Sequence, residues 1–189
     1  MKEKTFEQTV KEIKGKKILV ANRGITARRI MRSIREILGI PVLTVTDVDK
    51  YAPFTTGAQE LILLGENPSA YLEIDLILEL ARKHNIAAIH PGWGFASEDA
   101  SFPQKCKEAG ILFIGPPTEP MKLLGNKVKV RELARQLNVP VVPGSLDAVE
   151  VDEARKIALD MGLPVMLKAE GGGGGRGIYE IYEMDQLET

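Results

Sequence analysis

Apolar residues in this chain fall in short blocks separated by longer amphipathic stretches. The segment 17–22, KILVAN, is an apolar run bounded by lysines and Gly24, the pattern of a strand buried on both faces. Residues 25–38 follow with Ile30, Ile34, Ile37 and Leu38 on one helical stripe. Gly39 is read as the residue that closes that helix, and Pro41 bars its continuation. The β-branched VLTVT at 42–46 then completes a βαβ unit with right-handed parallel pairing. The alternation continues through a strand at 60–64, a helix carrying Ile74, Ile77, Leu78 and Ala81, and a strand at 87–90. A helix over about 100–109 leads to a strand at 111–114. Five strands alternating with helices specify an α/β fold with an open parallel sheet, covered on both faces. Ligand groups in such sheets collect beyond the C-terminal strand ends. Those loops hold Asn22-Arg23-Gly24, Thr46-Asp47-Val48-Asp49, His90-Pro91-Gly92-Trp93-Gly94 and Gly115-Pro116-Pro117.

The pattern changes after Pro117. Helices are predicted at 119–124, 127–137 and 151–161, and strands at 164–169 and 178–182. Glu170, five glycines (Gly171 to Gly175), Arg176 and Gly177 lie between those strands. The chain therefore reads as an extension at 1–15, an α/β domain at 16–117 and the start of another domain at 118–189. One short helix and two strands bury little apolar surface for an independent core, so the chain is read as truncated. In the extension, Phe6, Val10 and Ile13 recur at helical spacing. A short amphipathic helix and a frayed, solvated tail both stay open there.

Composition narrows the function classes. With 189 residues, 25 Lys+Arg against 26 Asp+Glu and a net charge of -1, the chain lacks the basic excess of a general nucleic-acid or membrane-surface binder. A single cysteine, Cys106, rules out an intramolecular disulfide and a Cys-rich zinc site. His84 and His90 are the only histidines. No apolar run approaches the roughly 20 residues needed to cross a bilayer. The start of the chain has no apolar signal core, and a cytoplasmic location is expected.

Chemistry concentrates in the glycine run. Five consecutive glycines cost conformational entropy, yet without Cβ atoms their N–H groups can wrap a phosphate. Lys168 before the run and Arg176 within it add positive charge. A Walker A loop is excluded, because no Gly-Lys-Ser/Thr follows and a strand comes next. At Asn22-Arg23-Gly24 one glycine stands where a dinucleotide fingerprint needs three. Arg23 is read either as solvated on a tight turn or as an anion contact. The segment 90–98 is read as a packed turn, with Trp93 and Phe95 plugging the core and His90 satisfying backbone; a ligand loop is the alternative. Cys106 is read as a small buried residue, not a nucleophile.

Six segments carry a resemblance: ILVANRGITA at 18–27, IHPGWGFASE at 89–98, LFIGPP at 112–117, LLGNK at 123–127, VPVVPGS at 139–145 and PVMLKAEGGGGGRG at 164–177. In this order and spacing the chain resembles the start of the biotin carboxylase family, from residue 16 to the end. The resemblance implies a Rossmann-like domain preceding an ATP-grasp domain, of which only part of the lid is present. Its implied activity uses ATP, magnesium and bicarbonate to form carboxyphosphate, then carboxylates biotin on a biotin carboxyl carrier protein; a carboxyltransferase is the further partner.

By that resemblance Lys127 and Lys168 contact nucleotide phosphates. Gly171, Gly172, Gly173, Gly174, Gly175, Arg176 and Gly177 form the glycine loop that closes over them. Arg32 and Glu36 match positions at a homodimer interface. Ile25, Thr26 and Asn126 depart from the family's usual residues. The family's adenine hinge, magnesium carboxylates, and bicarbonate and biotin residues fall past the position of Thr189, so no metal ligand is assigned and the chain alone is expected to be inactive. Another ATP-grasp ligase, or a non-catalytic assembly homologue, is the alternative reading.

Overall fold

The computed structural model describes residues 5–125, 127–145, 147–168 and 177–187. The chain divides into two compact units, Met1–Lys122 and Leu123–Thr189.

The first unit is built on a five-stranded parallel sheet. Its strands are β1 (Lys17–Val20), β2 (Ile40–Thr46), β3 (Glu60–Gly65), β4 (Ala88–His90) and β5 (Leu112–Phe113), in the order β3-β2-β1-β4-β5. β1 pairs with both β2 and β4, and its Ile18, Leu19 and Val20 are fully buried. This explains why the segment is apolar without alternation: each strand face meets a helical layer. On one face α2 (Gly24–Glu36) packs Ala27, Ile30, Met31 and Ile34 against Ile18, Val20, Leu43 and Val45. On the other, α3 (Ile74–Lys83) and α4 (Ser101–Glu108) pack Ile77, Leu78, Ala81, Phe102 and Cys106 against Leu19, Val42, Ile62 and Ile89.

The expected cover stops short at one edge. Leu61 and Leu63 of β3 are aligned with the buried Leu43 and Val45, yet they are 41% and 51% exposed. α2 lies over the middle of the sheet, and a stripe that wide does not reach the outermost strand. β5 is shorter than expected, with only two ladder residues.

Four helix ends share one geometry with different residues. Leu38, Asn85, Gly110 and Asn138 all adopt positive φ (60°, 55°, 70° and 56°). In each case the next residue donates back across the last turn: Gly39 to Ile34 O (2.8 Å), Ile86 to Ala81 O (2.9 Å), Ile111 to Cys106 O (2.9 Å) and Val139 to Ala134 O (2.8 Å). This satisfies otherwise unpaired carbonyls. Gly39 is thus not the left-handed residue; Leu38 is. Gly39 is required for space, since a Cβ there would lie 2.8 Å from Ile18 Cδ1 and 3.0 Å from Ile34 Cγ2.

The amino-terminal segment forms a helix, α1 (Phe6–Ile13). Thr5 Oγ1 accepts from the Gln8 N–H, and Gln8 Oε1 accepts from the Thr5 N–H, a reciprocal cap. Ile13 is buried with the α2 cluster, and the Gly15 N–H donates to Leu38 O at 2.8 Å. A buried anchor and a satisfied first turn select the helix over the frayed tail.

In the first unit the chain continues to the start of α5 (Thr118–Leu124). The second unit contains α6 (Lys127–Gln136), α7 (Val151–Met161) and the antiparallel hairpin of β6 (Val165–Lys168) and β7 (Ile178–Ile181). Its buried apolar cluster among the described residues is Ala158, Ile181 and Leu187. Val142, Leu137, Leu159 and Tyr179 are all more than 60% exposed. The core among the described residues of this unit is scant, as the apolar surface that two helices and a hairpin cover is small.

Candidate functional site

From β1 the chain winds outward through β2 to β3, then crosses to β4 and β5 on the other side of β1. The winding direction reverses between β1 and β4. In open α/β sheets such a reversal is where ligands bind, in the crevice outside the C-terminal strand ends. The two loops leaving β1 and β4 are Asn22-Arg23-Gly24 and 91–94.

Asn22 joins them. It is 2% exposed, and its Nδ2 donates to Pro91 O (2.7 Å) and Trp93 O (2.9 Å), while its Oδ1 accepts from the Arg23 N–H (2.9 Å). Both ends of the carboxamide are used, which fixes its orientation. Gly92 sits between those carbonyls at φ +72°, and a Cβ there would fall 2.6 Å from Asn22 Nδ2 and 2.8 Å from Thr26 Cγ2. His90 Nδ1 accepts from the Gly92 N–H at 3.0 Å, the backbone role expected of it. Burial pushes its pKa down, so the neutral ring that can accept this bond is favoured.

Trp93 corrects the packed-turn reading. It does not plug the core; it is 75% exposed. Asn22 holds the Pro91 and Trp93 carbonyls, and the indole of that turn is left open to solvent. Phe95 is 41% exposed and rests against Tyr71, ring centroids 5.3 Å apart. The local signal for this exposure is the pair of glycines around the only tryptophan at a strand end.

Arg23 matches neither of its expected states. Its Nη2 donates to Oδ1 of Asp49 at 2.5 Å. Asp49 is 2% exposed and also accepts from Tyr71 Oη (3.1 Å) and Thr46 Oγ1 (3.3 Å) on its other oxygen. A buried carboxylate needs charge and donors around it, and the loop after β1 supplies the charge. The bond to Asp49 raises the Arg23 pKa, and burial followed by the Asp49 charge pushes Tyr71 upward. Both therefore hold their protons as donors.

The expected phosphate contacts belong to the second unit. Lys168 ends β6 with its side chain exposed and pairs in register with Ile178 of β7, while Gly177 precedes β7 at φ +69°. Lys168 and Gly177 thus flank the mouth of the hairpin. Gly171 to Gly175 and Arg176 lie outside the described residues. Lys127 opens α6, and its side chain also lies outside them.

Arg32 and Glu36 form an exposed i,i+4 pair, Nε to Oε1 2.9 Å. Cys106 is fully buried, and burial pushes its thiol up to about 12, as expected for an inert packing residue. An open hollow of about 590 Å³ beside β5, lined by Lys107, Leu112, Phe113 and Pro116, lies at the sheet edge rather than at the crevice. Among the described residues no three His, Cys, Asp or Glu side chains converge to hold a metal, and no helix is long and apolar enough to cross a membrane.

Comparison with known proteins places these features. Residues 14–121 match the biotin carboxylase N-terminal domain, and 126–189 match the ATP-binding domain of the carbamoyl-phosphate synthase L chain. The chain is 40% identical over 176 residues to biotin carboxylase 2 of Bacillus subtilis, covering 91% of this chain and 39% of that protein. It is 43% identical over 167 residues to the 2-oxoglutarate carboxylase small subunit of Hydrogenobacter thermophilus, covering 86% and 35%. The biotin carboxylase domain dimer of that Hydrogenobacter enzyme, solved with MgADP, ADP and bicarbonate, superposes with a TM-score of 0.86 at 40% identity, covering 92% of this chain and 39% of that one. Campylobacter jejuni biotin carboxylase, solved as a β,γ-ATP complex, gives 0.88 at 37% identity, covering 94% and 41%. The chain thus spans well under half of the length of these relatives. With its sheet, its hairpin and the match over more than half of its residues all in agreement, the chain belongs to the biotin carboxylase family, as its N-terminal domain and the first part of an ATP-grasp domain.

Proposed function

We propose that this chain supplies the N-terminal domain and the phosphate-facing lid of a biotin carboxylase, which cleaves ATP with bicarbonate and carboxylates biotin on a carrier protein for a carboxyltransferase. One observation carries the reading: a strand pair ending in Lys168 and beginning again after Gly177 brackets the glycine run within a chain of this family. Phosphoryl transfer depends mainly on positioning and charge neutralisation. Lys127, Lys168 and Arg176 provide cationic donors, and Gly171 to Gly175 and Gly177 provide backbone N–H groups without steric obstruction. Bound nucleotide would supply the phosphoryl group. The exposed position of Lys168 at a strand end suits a polyphosphate; magnesium has no carboxylate set among the described residues, so no step of the reaction is assigned to it.

The first unit contributes the crevice between β1 and β4, where Trp93 offers a flat apolar surface to an organic substrate. Arg32 and Glu36 are assigned to a homodimer interface, supported by their exposure on α2. The cytoplasm is the compartment we assign, although relatives include chloroplastic forms.

Bicarbonate-dependent ADP release tests the reading. In a longer carboxylase containing these residues, Lys168→Ala should lower the rate about tenfold or more, the loss of one charge-assisted phosphate contact. The 189-residue chain alone should show no cleavage above buffer. An undiminished Lys168→Ala enzyme would remove the phosphate assignment.

A further inference from the structure

The turn that carries Trp93 is enclosed by a circuit of contacts. Asn22 Nδ2 holds Pro91 O and Trp93 O. Two residues beyond Trp93, the Phe95 ring packs on Tyr71. Tyr71 Oη donates to Asp49 Oδ2, Asp49 Oδ1 accepts from Arg23 Nη2, and the Arg23 N–H donates to Asn22 Oδ1. The circuit closes on the residue from which it started. It crosses the segments that follow β1, β2, β3 and β4, so it ties together four strand ends.

Burial is divided sharply along this circuit. Asn22, Asp49 and Tyr71 are at most 2% exposed, while Trp93, held by its backbone carbonyl, is 75% exposed. Folding alone does not favour that division. An outward indole forgoes its apolar burial, and each buried polar group must be matched to a partner. What the arrangement provides is order: a turn already fixed loses little freedom when a ligand arrives.

We propose that Asn22, Tyr71, Asp49 and Arg23 form a positioning frame that holds the Trp93 turn rigid at the β1/β4 crevice, presenting the indole as a preformed wall of the substrate site. Asn22 is its central positioning residue, because its carboxamide grips the carbonyls on both sides of Gly92. The identity of the substrate rests on the carboxylase reading; the frame itself does not.

Trp93 is the only tryptophan, so its time-resolved fluorescence anisotropy reads the turn directly in the 189-residue chain. Asn22→Asp keeps the acceptor for the Arg23 N–H and removes both donors. Gly92→Ala attacks the same contact from the opposite side. Each should raise the amplitude of the fast, nanosecond-or-shorter component about twofold or more while circular dichroism stays native. Ile77→Val, a core change on α3 outside the circuit, should leave that amplitude unchanged. Should Asn22→Asp fail to fold, Tyr71→Phe removes the hydroxyl that bonds Asp49 Oδ2 (3.1 Å) and Thr44 O (3.4 Å) while keeping the ring against Phe95, and should also loosen Trp93. Unchanged anisotropy in the folded Asn22 and Gly92 variants, or equal loosening in Ile77→Val, would overturn the frame. Failure of the carboxylase reading would appear instead as undiminished bicarbonate-dependent ADP release by the Lys168→Ala form of the longer carboxylase, with the anisotropy results unaffected.

Discussion

Asn22 and Gly92, seventy positions apart in the sequence, share a space that has no room for one more carbon: a Cβ on residue 92 would lie 2.6 Å from Asn22 Nδ2. The contact joins the two strand-end loops that flank the reversal in sheet order. It also accounts for the glycine, since φ at this position is +72° and the neighbouring carbonyls are already held.

Gly92→Ala therefore meets two obstacles, backbone conformation and lack of space. The expected loss is about 2 kcal/mol or more in folding free energy. Urea unfolding followed by circular dichroism measures it. A loss within a few tenths would mean that Asn22 can withdraw at little cost.

Leu38 offers a gain instead. It occupies a left-handed conformation at φ 60° with its side chain 59% exposed. An L-residue there costs about 1–2 kcal/mol, partly offset against the extra entropy glycine loses on folding. Leu38→Gly should accordingly stabilise the fold by about 0.5–1 kcal/mol. A shift of the urea midpoint to lower concentration would show that packing of Leu38 outweighs its backbone cost.

Acid stability should depend on Glu60. Lys17 Nζ donates to its Oε2 at 2.7 Å, and His84 Nδ1 lies 2.5 Å from its Oε1. The Lys17 bond, then the His84 bond, lower the Glu60 pKa. A lowered folded-state pKa means the stabilisation is complete above the unfolded value, about 4.3 for glutamate. It is lost as pH falls through the folded value. Glu60→Gln should flatten stability against pH below about 4.3. An identical acid limb in wild type and variant would remove the assignment.

Arg32→Glu separates folding from assembly. Arg32 and its partner Glu36 are exposed, with side chains at 76% and 56%, so the intramolecular cost should stay below about 0.5 kcal/mol. Sedimentation velocity at matched concentrations should show weaker self-association than wild type. Equal sedimentation would remove Arg32 from any self-association contact.

Much of the architecture was legible in order and composition. Continuous apolar blocks at Ile18, Leu19 and Val20, spaced by amphipathic helices, report burial on both sheet faces because a period of neither two nor 3.6 can otherwise leave every residue covered. The glycine run and Lys168 stand out as candidates in the sequence because backbone access and positive charge are local properties. The family, too, could be read from linear segments, since six motifs in register need no coordinates.

Tertiary structure decided what depends on partners distant in the chain. Whether Arg23 was solvated, free for an anion or paired could not be read locally, because its carboxylate, Asp49, lies 26 residues away on the loop after β2. Trp93 looked like a core plug because large aromatics are usually buried. Only the fold showed Asn22 holding the Pro91 and Trp93 carbonyls, with the indole left open to solvent. Gly39 and Leu38 likewise exchanged roles, because the side chains of Ile18 and Ile34 leave no room beside residue 39 and the left-handed step falls one residue earlier. Local chemistry writes the elements and their ends into the sequence. Which side chain fills a given space, and which buried charge finds its counterpart, is settled only when those elements pack.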